Sequence, residues 1–393
     1  MAKVTVKDLD LKDKKVIVRV DYNVPLTEDG QVTDDNRILA SLETVRYILD
    51  QGAAKLILMS HLGRPKGEVV DSLRMDPVAR RLESLLEEPV LKLDQCIGDE
   101  VKQAIASTDK RVVLLENVRF YPQEKKGDEA FAKELASLAD VYVNDAFGTA
   151  HRAHASTTII AKFLPSAIGF LIEKEIKFLS KALTPEKPYT IILGGAKVSD
   201  KIGVVSNLMK NADAFLIGGA MAYTFLKSTG VGVGNSRVEE DKLDLAKDIL
   251  TKAEEENVQI ILPIDHLAVQ GIDKPETKKV VEEIPDGYMG VDIGPLTVNA
   301  FSDLLKRSKT ILWNGPVGIF ENPHYAEGTK ELAMTLAALE DSTVIVGGGD
   351  SAAAANEFGV KTKLSHVSTG GGASLEFLEG KQLPGIAAIA DKE

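Results

Sequence analysis

Two runs of three glycines near the end of the chain have the residue types and spacing to bind a phosphate. Gly347, Gly348 and Gly349 follow the apolar run "VIV" and precede a helical run of small residues, and residues 370–372 follow the next strand pattern. Bare backbone at a helix N-terminus lets amide N–H groups approach an anion closely. Tight strand-to-helix turns would explain either run alone, but two runs at neighbouring strand ends favour a phosphate site.

Charged residues near glycines could complete such a site. Asp350 follows the first run directly, where it could cap the helix or hold Mg²⁺ bound to phosphate oxygens. Lys197 and Lys201 stand at the start of another predicted helix, for which Ser199 is the candidate N-cap. Because a helix dipole disfavours cations in the first turn, this lysine pair predicts an anion nearby, unless Asp200 neutralises one of them.

Arginine and histidine recur at three predicted strand ends, or in the loops just after them, in the first half of the chain. One such residue would be an ordinary surface charge. Several at one sheet edge indicate an anion pocket, because guanidinium groups match phosphate and carboxylate geometry. A metal site is disfavoured, because the two histidines of "HRAH" lie on a predicted loop without thiols nearby. The residues are His61, Arg64, Arg119, His151, Arg152 and His154, and Arg37 is a further candidate.

Several common catalytic and cofactor sites lack support. Gly347, Gly349 and Ala352 match the dinucleotide pattern G-x-G-x-x-G/A, but the next strand lacks the ribose-binding acid and too few residues follow to complete such a domain. Neither a P-loop nor a G-x-S-x-G motif occurs. Cys96 is the only cysteine, so an internal disulfide is excluded and a reducing compartment is expected.

Ten predicted strands alternate with helices and must position these residues. Their continuous apolar runs are typical of strands buried on both faces of parallel sheets, so the fold class is α/β with doubly wound parallel sheets. Ten strands exceed the usual content of one compact unit, so two domains are expected. A helical pattern ending before Pro185 and Pro188 links them. The strand runs are "KVIVRVDYN", "KLILMSH", "VVLLENVRF", "DVYVNDAFG", "TIILGGAK", "AFLIGGAM", "QIILPID", "TILWNGP", "TVIVGGGD" and "LSHVSTGGG".

Composition limits the partners and the location. The 393 residues carry a net charge of -12, which argues against nucleic acid or an acidic membrane as a partner. The amino terminus lacks the apolar core of a signal peptide, and no run of about 18 apolar residues occurs. A cytoplasmic protein that binds small molecules is therefore expected.

The motifs together resemble the phosphoglycerate kinase family, in that family's order, from Asp21 to Gly385. They are "RVDYNVP", "SHLGRP", "LLENVRF", "VNDAFGTAHRAHAS", "GGAKVSDKI", "WNGPVGIFE", "GGGDSAAA" and "STGGGASLEFLEGKQLPG". The resemblance implies a monomer of two domains joined by a helix, with a cleft between them. Residues 1–170 would bind 3-phosphoglycerate, with 373–393 packing back on them; 171–185 would form the interdomain helix; and 186–372 would bind Mg-nucleotide.

The same resemblance implies reversible phosphoryl transfer between 1,3-bisphosphoglycerate and ADP, giving 3-phosphoglycerate and ATP. An ionised carboxylate acceptor needs no general base, so charge neutralisation and domain closure would suffice. The alternative is a two-domain binding protein that closes on an anion without chemistry.

The implied site residues fall into four groups. The catalytic residues would be Arg37, Lys197, Lys201, Gly349 and Gly372. The acid would contact Asp21, Asn23, Arg37, His61, Leu62, Gly63, Arg64, Arg119 and Arg152. The nucleotide would contact Gly195, Lys197, Lys201, Gly290, Asn314, Glu321, Gly347, Gly348, Gly349, Asp350 and Ser351. Asp350 would bind Mg²⁺.

Overall fold

The chain divides into two compact units. A computed structural model describes residues 2–392. The first unit runs to Ile176 and also includes the chain from Gln382 onwards, and the second unit spans Lys177–Lys381. The boundaries predicted at residues 170 and 372, and the assignment of one ligand to each unit, stay predictions.

A six-stranded parallel sheet forms the first unit. The strand order is β3-β4-β2-β1-β5-β6, and every neighbouring pair is parallel. The central strands are almost entirely buried, as their continuous apolar runs predict. The strands are β1 (Lys15–Arg19), β2 (Lys55–Met59), β3 (Val90–Lys92), β4 (Val112–Leu114), β5 (Val141–Asn144) and β6 (Ser166–Ile168).

Amphipathic helices pack against this sheet. In the first helix, Ile38, Val45 and Ile48 are fully buried at helical spacing. Gly52, with φ of +79°, follows the C-cap residue Gln51, the position at which glycine commonly ends a helix. The helices are α1 (Asn36–Asp50), α2 (Asp76–Leu86), α3 (Asp99–Ser107), α4 (Pro122–Lys126) and α5 (Glu129–Ala136).

The helix predicted to link the domains is present as α6 (Phe170–Leu183). It begins within the first unit and continues into the second. Asp145, which follows β5, anchors its N-terminus, because the carboxylate accepts hydrogen bonds from Leu171 N (2.9 Å) and Ile172 N (3.3 Å). Gly169 makes room for this carboxylate, since a Cβ there would lie 2.3 Å from it.

A second six-stranded parallel sheet forms the centre of the second unit. Its order is β15-β14-β13-β7-β8-β9. The strands are β7 (Tyr189–Leu193), β8 (Ala214–Ile217), β9 (Gln259–Ile261), β13 (Thr310–Asn314), β14 (Thr343–Val346) and β15 (His366–Val367). The predicted fold class, two α/β domains built on parallel sheets, is therefore confirmed.

A small antiparallel sheet in the second unit was not predicted from the sequence. It has the order β11-β10-β12 and comprises β10 (His266–Val269), β11 (Lys279–Val281) and β12 (Met289–Ile293). Its edge strand β11 is mostly exposed, so it lacks the continuous apolar run that marks the buried strands. The two edge strands of the first sheet, β3 and β6, were also missed, because their residues VLK and SAI form no continuous apolar run.

Helices cover the strands of the second unit. Most of them follow a parallel strand directly, as expected of a doubly wound fold. They are α7 (Ile202–Leu208), α8 (Met221–Ser228), α9 (Leu243–Glu255), α10 (Pro295–Leu305), α11 (Glu327–Ala337), α12 (Gly349–Glu357) and α13 (Gly372–Leu378). Among residues 2–392, the structure contains no helix with the length and apolar character needed to cross a membrane.

The end of the chain returns to the first unit. There α14 (Pro384–Ala387) contacts the last residue of β5, because Asn144 Nδ2 donates to Gly385 O at 3.0 Å. The two chain ends also pair, since Val4 N donates to Ala390 O and Lys3 forms an ion pair with Asp391.

Replacing Asp145 with asparagine should change how stability depends on pH. Burial raises the pKa of Asp145 to about 7, whereas its ordinary pKa is 3.8. Between these values the folded protein holds one proton more than the unfolded chain, so this group makes stability fall as pH rises. The amide in Asp145→Asn cannot ionise, so the variant should gain up to roughly 4 kcal/mol relative to wild type from pH 4 to pH 7.

Urea unfolding across that pH range measures this difference. Asp109→Asn, at an exposed position of the same unit, controls for the chemical change itself. A wild-type to variant difference that did not vary with pH would show that the Asp145 carboxyl has no raised pKa.

Candidate active site

The predicted basic residues of the first unit meet at one edge of its sheet. Strands β4, β2, β1 and β5 are neighbours and parallel, so their carboxyl ends lie side by side. Each of these ends leads into a segment with predicted site residues. These are Arg119 after β4, His61 to Arg64 after β2, Asp21 and Asn23 after β1, and Arg152 after β5.

A buried carboxylate orients the first of these side chains. Asp21 accepts a hydrogen bond from Arg37 Nη1, so it forms an ion pair with the predicted catalytic arginine. Its other oxygen lies 3.8 Å from His61 Nδ1. Asp21 is almost fully buried, whereas Arg37 is partly exposed. The carboxylate therefore fixes the guanidinium through an ion pair, while the Arg37 side chain remains partly accessible.

The loop after β2 is held by hydrogen bonds from two neighbouring segments. Gly63 N donates to Asn23 Oδ1 at 2.8 Å, and Arg119 Nη1 donates to Gly63 O at 2.9 Å. The fully buried Asn117 accepts from Leu62 N and donates to Leu62 O. Leu62 is thus buried and tied through its backbone, and the contacts join Asn23, Gly63 and Arg119 directly.

Positive charge is concentrated at this edge. Burial lowers the pKa of His61 well below its ordinary 6.5, and Arg19, Arg119 and Arg37 lower it further. Burial, with Arg19 and Arg152, also lowers the pKa of Arg119 to about 10. The contributions of the neighbouring arginines show an excess of positive charge at this edge, so an anion bound there would be stabilised.

Sequence reasoning missed the buried group that supports this edge. Arg19 is fully buried at the end of β1, and its Nε donates to Ser156 Oγ at 2.8 Å, while its Nη2 lies 3.2 Å from His61 Nδ1. Ser156 donates in turn to the buried Glu124 through both Oγ and N. An arginine within the apolar run "KVIVRV" was the available signal, because a charge inside a buried strand requires partners.

The remaining residues predicted for the first unit lie at its surface or in the loop after β5. Arg64 and Arg152 are exposed, and Arg152 is close enough to Arg119 to lower its pKa. His154 is buried 3.8 Å from Glu124, and burial, followed by Arg19, lowers the pKa of His154 to about 4. Within residues 2–392, no group of three or more metal-ligating side chains occurs.

In the second unit, Asn314 joins three of the predicted segments. It ends β13, is fully buried, and accepts a hydrogen bond from Lys201 Nζ. Its Nδ2 donates to Gly347 O at 2.8 Å. Burial lowers the pKa of Lys201, and the nearby Asp350 carboxylate offsets part of this shift. Lys201, Asn314, Gly347 and Asp350 therefore form one group, here called the Asn314 cluster.

The start of α12 differs from one reading of the sequence. Gly348, with φ of +95°, is the N-cap, and Asp350 is the second helical residue, so the cap role considered for Asp350 is wrong. The positive φ is one that glycine adopts without strain. Asp350 and Gly349 are exposed, and Ser351 is buried and accepts from Gly315 N. The exposed carboxylate therefore belongs to the first turn of α12, next to the exposed backbone of Gly349.

The start of α7 also differs. Lys201, not Ser199, is the N-cap, because the Ser199 hydroxyl donates to Glu239 Oε1 at 2.6 Å instead of capping the helix. Lys197 is exposed on the loop before it. A Cβ atom added to Gly195 would have no other atom within 4 Å, so the backbone borders open space there.

Four predicted nucleotide or catalytic residues are not tied to the Asn314 cluster. In the described part of the chain, no hydrogen bond or ion pair joins Lys197, Gly290, Glu321 or Gly372 to it. Gly290 is buried in β12, where a Cβ would lie 1.9 Å from the Tyr223 hydroxyl oxygen, so packing alone requires glycine there. Glu321 is exposed after β13, and Gly372 is the exposed first residue of α13.

Comparison with known proteins agrees with this geometry. The family model for phosphoglycerate kinase matches residues 6–381. The phosphoglycerate kinases of Dictyoglomus turgidum and Thermosipho africanus are each 55% identical to this chain, over all of it and over 100% and 99% of their own lengths.

Solved structures give the same result. The phosphoglycerate kinase of Coxiella burnetii has a TM-score of 0.88 at 37% identity, and that of Pyrococcus horikoshii 0.84 at 32%; each comparison covers 98% of both chains. The chain therefore belongs to the phosphoglycerate kinase family and is a phosphotransferase with a carboxyl group as acceptor.

Proposed function

We propose that the carboxyl edge of the first sheet binds 3-phosphoglycerate and 1,3-bisphosphoglycerate. The observation that carries this proposal is the convergence of Arg19, Arg37 and Arg119 on His61, with Asp21 as the carboxylate paired to this group. An acid with a phosphate and a carboxylate would neutralise that surplus. The proposed contacts are Asp21, Asn23, Arg37, His61, Leu62, Gly63, Arg64, Arg119 and Arg152.

The carboxyl edge of the second sheet is proposed to bind ATP or ADP with Mg²⁺. Amides at the start of α12 and the ammonium of Lys201 suit phosphate oxygens. Mg²⁺ commonly uses one or two carboxylates together with phosphate oxygens, and the exposed Asp350 beside those amides fits that requirement. The proposed contacts are Gly195, Lys197, Lys201, Gly290, Asn314, Glu321, Gly347, Gly348, Gly349, Asp350 and Ser351.

The chain's own residues would act by positioning and by neutralising charge. The acceptor carboxylate of 3-phosphoglycerate is ionised at neutral pH, so no side chain has to remove a proton. Arg37, oriented by Asp21, and Lys201, oriented by Asn314, would hold the oxygens of the transferred phosphoryl group. Bound Mg²⁺ would supply further positive charge on the phosphate oxygens.

Several other expectations stay predictions. These are the catalytic contributions of Gly349 and Gly372, domain closure during transfer, a monomeric state, a cytoplasmic location and the absence of nucleic acid as a partner. The rival function, anion binding without chemistry, would leave the cluster around Asn314 and Lys201 unexplained.

Removing either proposed catalytic cation should slow the reaction. Arg37→Ala and Lys201→Ala should each lower kcat by about 10²- to 10³-fold, because each removes a charge that acts on the transition state. The assay measures ATP-dependent formation of 1,3-bisphosphoglycerate. Arg80→Ala and Lys210→Ala, at exposed positions, are the matched controls. Wild-type turnover in both test variants would refute the proposed roles.

A methyl group at Gly349 should block nucleotide without harming the fold. A Cβ atom added at this position would have no other atom within 4 Å, so Gly349→Ala should leave the thermal midpoint of unfolding almost unchanged. The methyl would occupy the space through which phosphates approach the backbone, raising KM for ATP by about 10-fold or more. Gly232→Ala, also in open space, is the control. An unchanged KM would place the phosphates elsewhere.

A further inference from the structure

The loop that carries the two lysines is held by a carboxylate from a distant segment. Residues 194–201 connect β7 to α7 and include Lys197 and Lys201. Glu239 Oε2 accepts from Val198 N at 2.6 Å and from Ser199 N at 3.2 Å. Glu239 Oε1 accepts from Ser199 Oγ at 2.6 Å. Three donors of one short loop thus converge on a single carboxylate.

The backbone of Glu239 is itself anchored to a neighbouring helix. Glu239 N donates to Thr224 Oγ1 at 3.1 Å, and Thr224 is buried in α8. Although burial alone would raise the pKa of Glu239, the hydrogen bonds from Ser199 and Val198 outweigh it and lower the pKa. The group therefore bears its charge at neutral pH and keeps its acceptor capacity for the loop.

The loop transmits this constraint to Lys201. Val198 is buried, its N–H is held by Glu239, and its carbonyl accepts from Lys201 N at 3.0 Å. Val198 therefore connects the carboxylate to the residue that starts α7. Loss of the Glu239 contacts would release the turn from which both lysines project, while leaving their ammonium groups intact.

We propose that Glu239 is a positioning residue for the nucleotide: it clamps residues 198–199 so that Lys197 and Lys201 meet the phosphates. The inference rests on the proposed function, in which those lysines bind the phosphoryl oxygens. Small displacements of a charged group that acts on a transition state can cost about 10²-fold in rate. The clamp therefore affects catalysis without touching either substrate.

Substitutions at Glu239 separate the clamp from the charge. Glu239→Ala removes all three contacts and should lower kcat/KM for ATP by about 10- to 100-fold, with KM for 3-phosphoglycerate within about twofold of wild type. Glu239→Gln can accept from both N–H groups and donate to the Ser199 hydroxyl, so it should recover most of the loss. Glu240→Ala, the adjacent exposed residue paired with Lys227, is the matched control.

Two additional measurements distinguish positioning from general stability. Sodium formate, at constant ionic strength, should restore part of the Glu239→Ala rate by occupying the vacated donors, and should not accelerate wild type. If Glu239→Ala fails to fold, Ser199→Ala decides the question: it removes one of the three contacts and should raise KM for ATP about threefold at an unchanged thermal midpoint.

Each outcome has a definite meaning. Wild-type kcat/KM for ATP in Glu239→Ala, or in Ser199→Ala where the first does not fold, would overturn the proposal. Equal losses toward both substrates with a lowered thermal midpoint would also overturn it, because they indicate a structural role only. Lys197→Ala and Lys201→Ala, assayed in parallel, test the proposed function itself: if they matter and Glu239 does not, only the clamp is wrong.

Discussion

Repulsion between buried and half-buried cations at one sheet edge is the constraint that shapes the first unit. Arg19, Arg37 and Arg119 all act on His61, and because Arg19 is fully buried and the other two are half-buried, water screens these charges less than at an open surface. The fold tolerates this arrangement because Asp21 pairs with Arg37 and because Ser156 links Arg19 to Glu124. The uncompensated remainder would favour an anionic ligand, so in the proposed function the cost of gathering the charges would also be the source of the affinity.

The second unit meets a related demand with different groups. Its sheet brings short loops and a glycine-rich helix start to the carboxyl edge, where backbone N–H groups rather than arginines can face phosphate. Asn314 connects Lys201 to the residues around Gly347, and Glu239 holds the other side of the lysine loop. In the proposed function, these two acceptors would determine where the lysine charges meet the phosphates.

The sequence was informative where one local property determines structure. Continuous apolar runs identified ten of the twelve strands in the two six-stranded sheets, and the strand order of the first sheet brings Asp21, His61 and Arg119 to one edge. It was less informative about helix starts. Asp350 and Ser199 have the chemistry of N-caps, yet Gly348 and Lys201 occupy those positions, because a positive φ in one case and a tertiary carboxylate in the other take precedence.

Contacts between distant segments could not be read from a single chain. Glu239 lies 40 residues after Ser199, and Glu124 lies 32 residues before Ser156, so no local spacing links them. The small antiparallel sheet was missed because its edge strand is exposed, and Gly290, chosen by resemblance, turns out to have a packing requirement of its own beside Tyr223.

Hydrogen exchange of the full chain, with one ligand present at a time, would show whether each sheet edge binds one ligand. 3-Phosphoglycerate alone should slow amide exchange around residues 61–64 and 117–120, and Mg-ADP alone should slow it around residues 194–201 and 347–351. Protection of the glycine run by 3-phosphoglycerate, or of the His61 loop by Mg-ADP alone, would show that the ligands do not bind at the proposed edges.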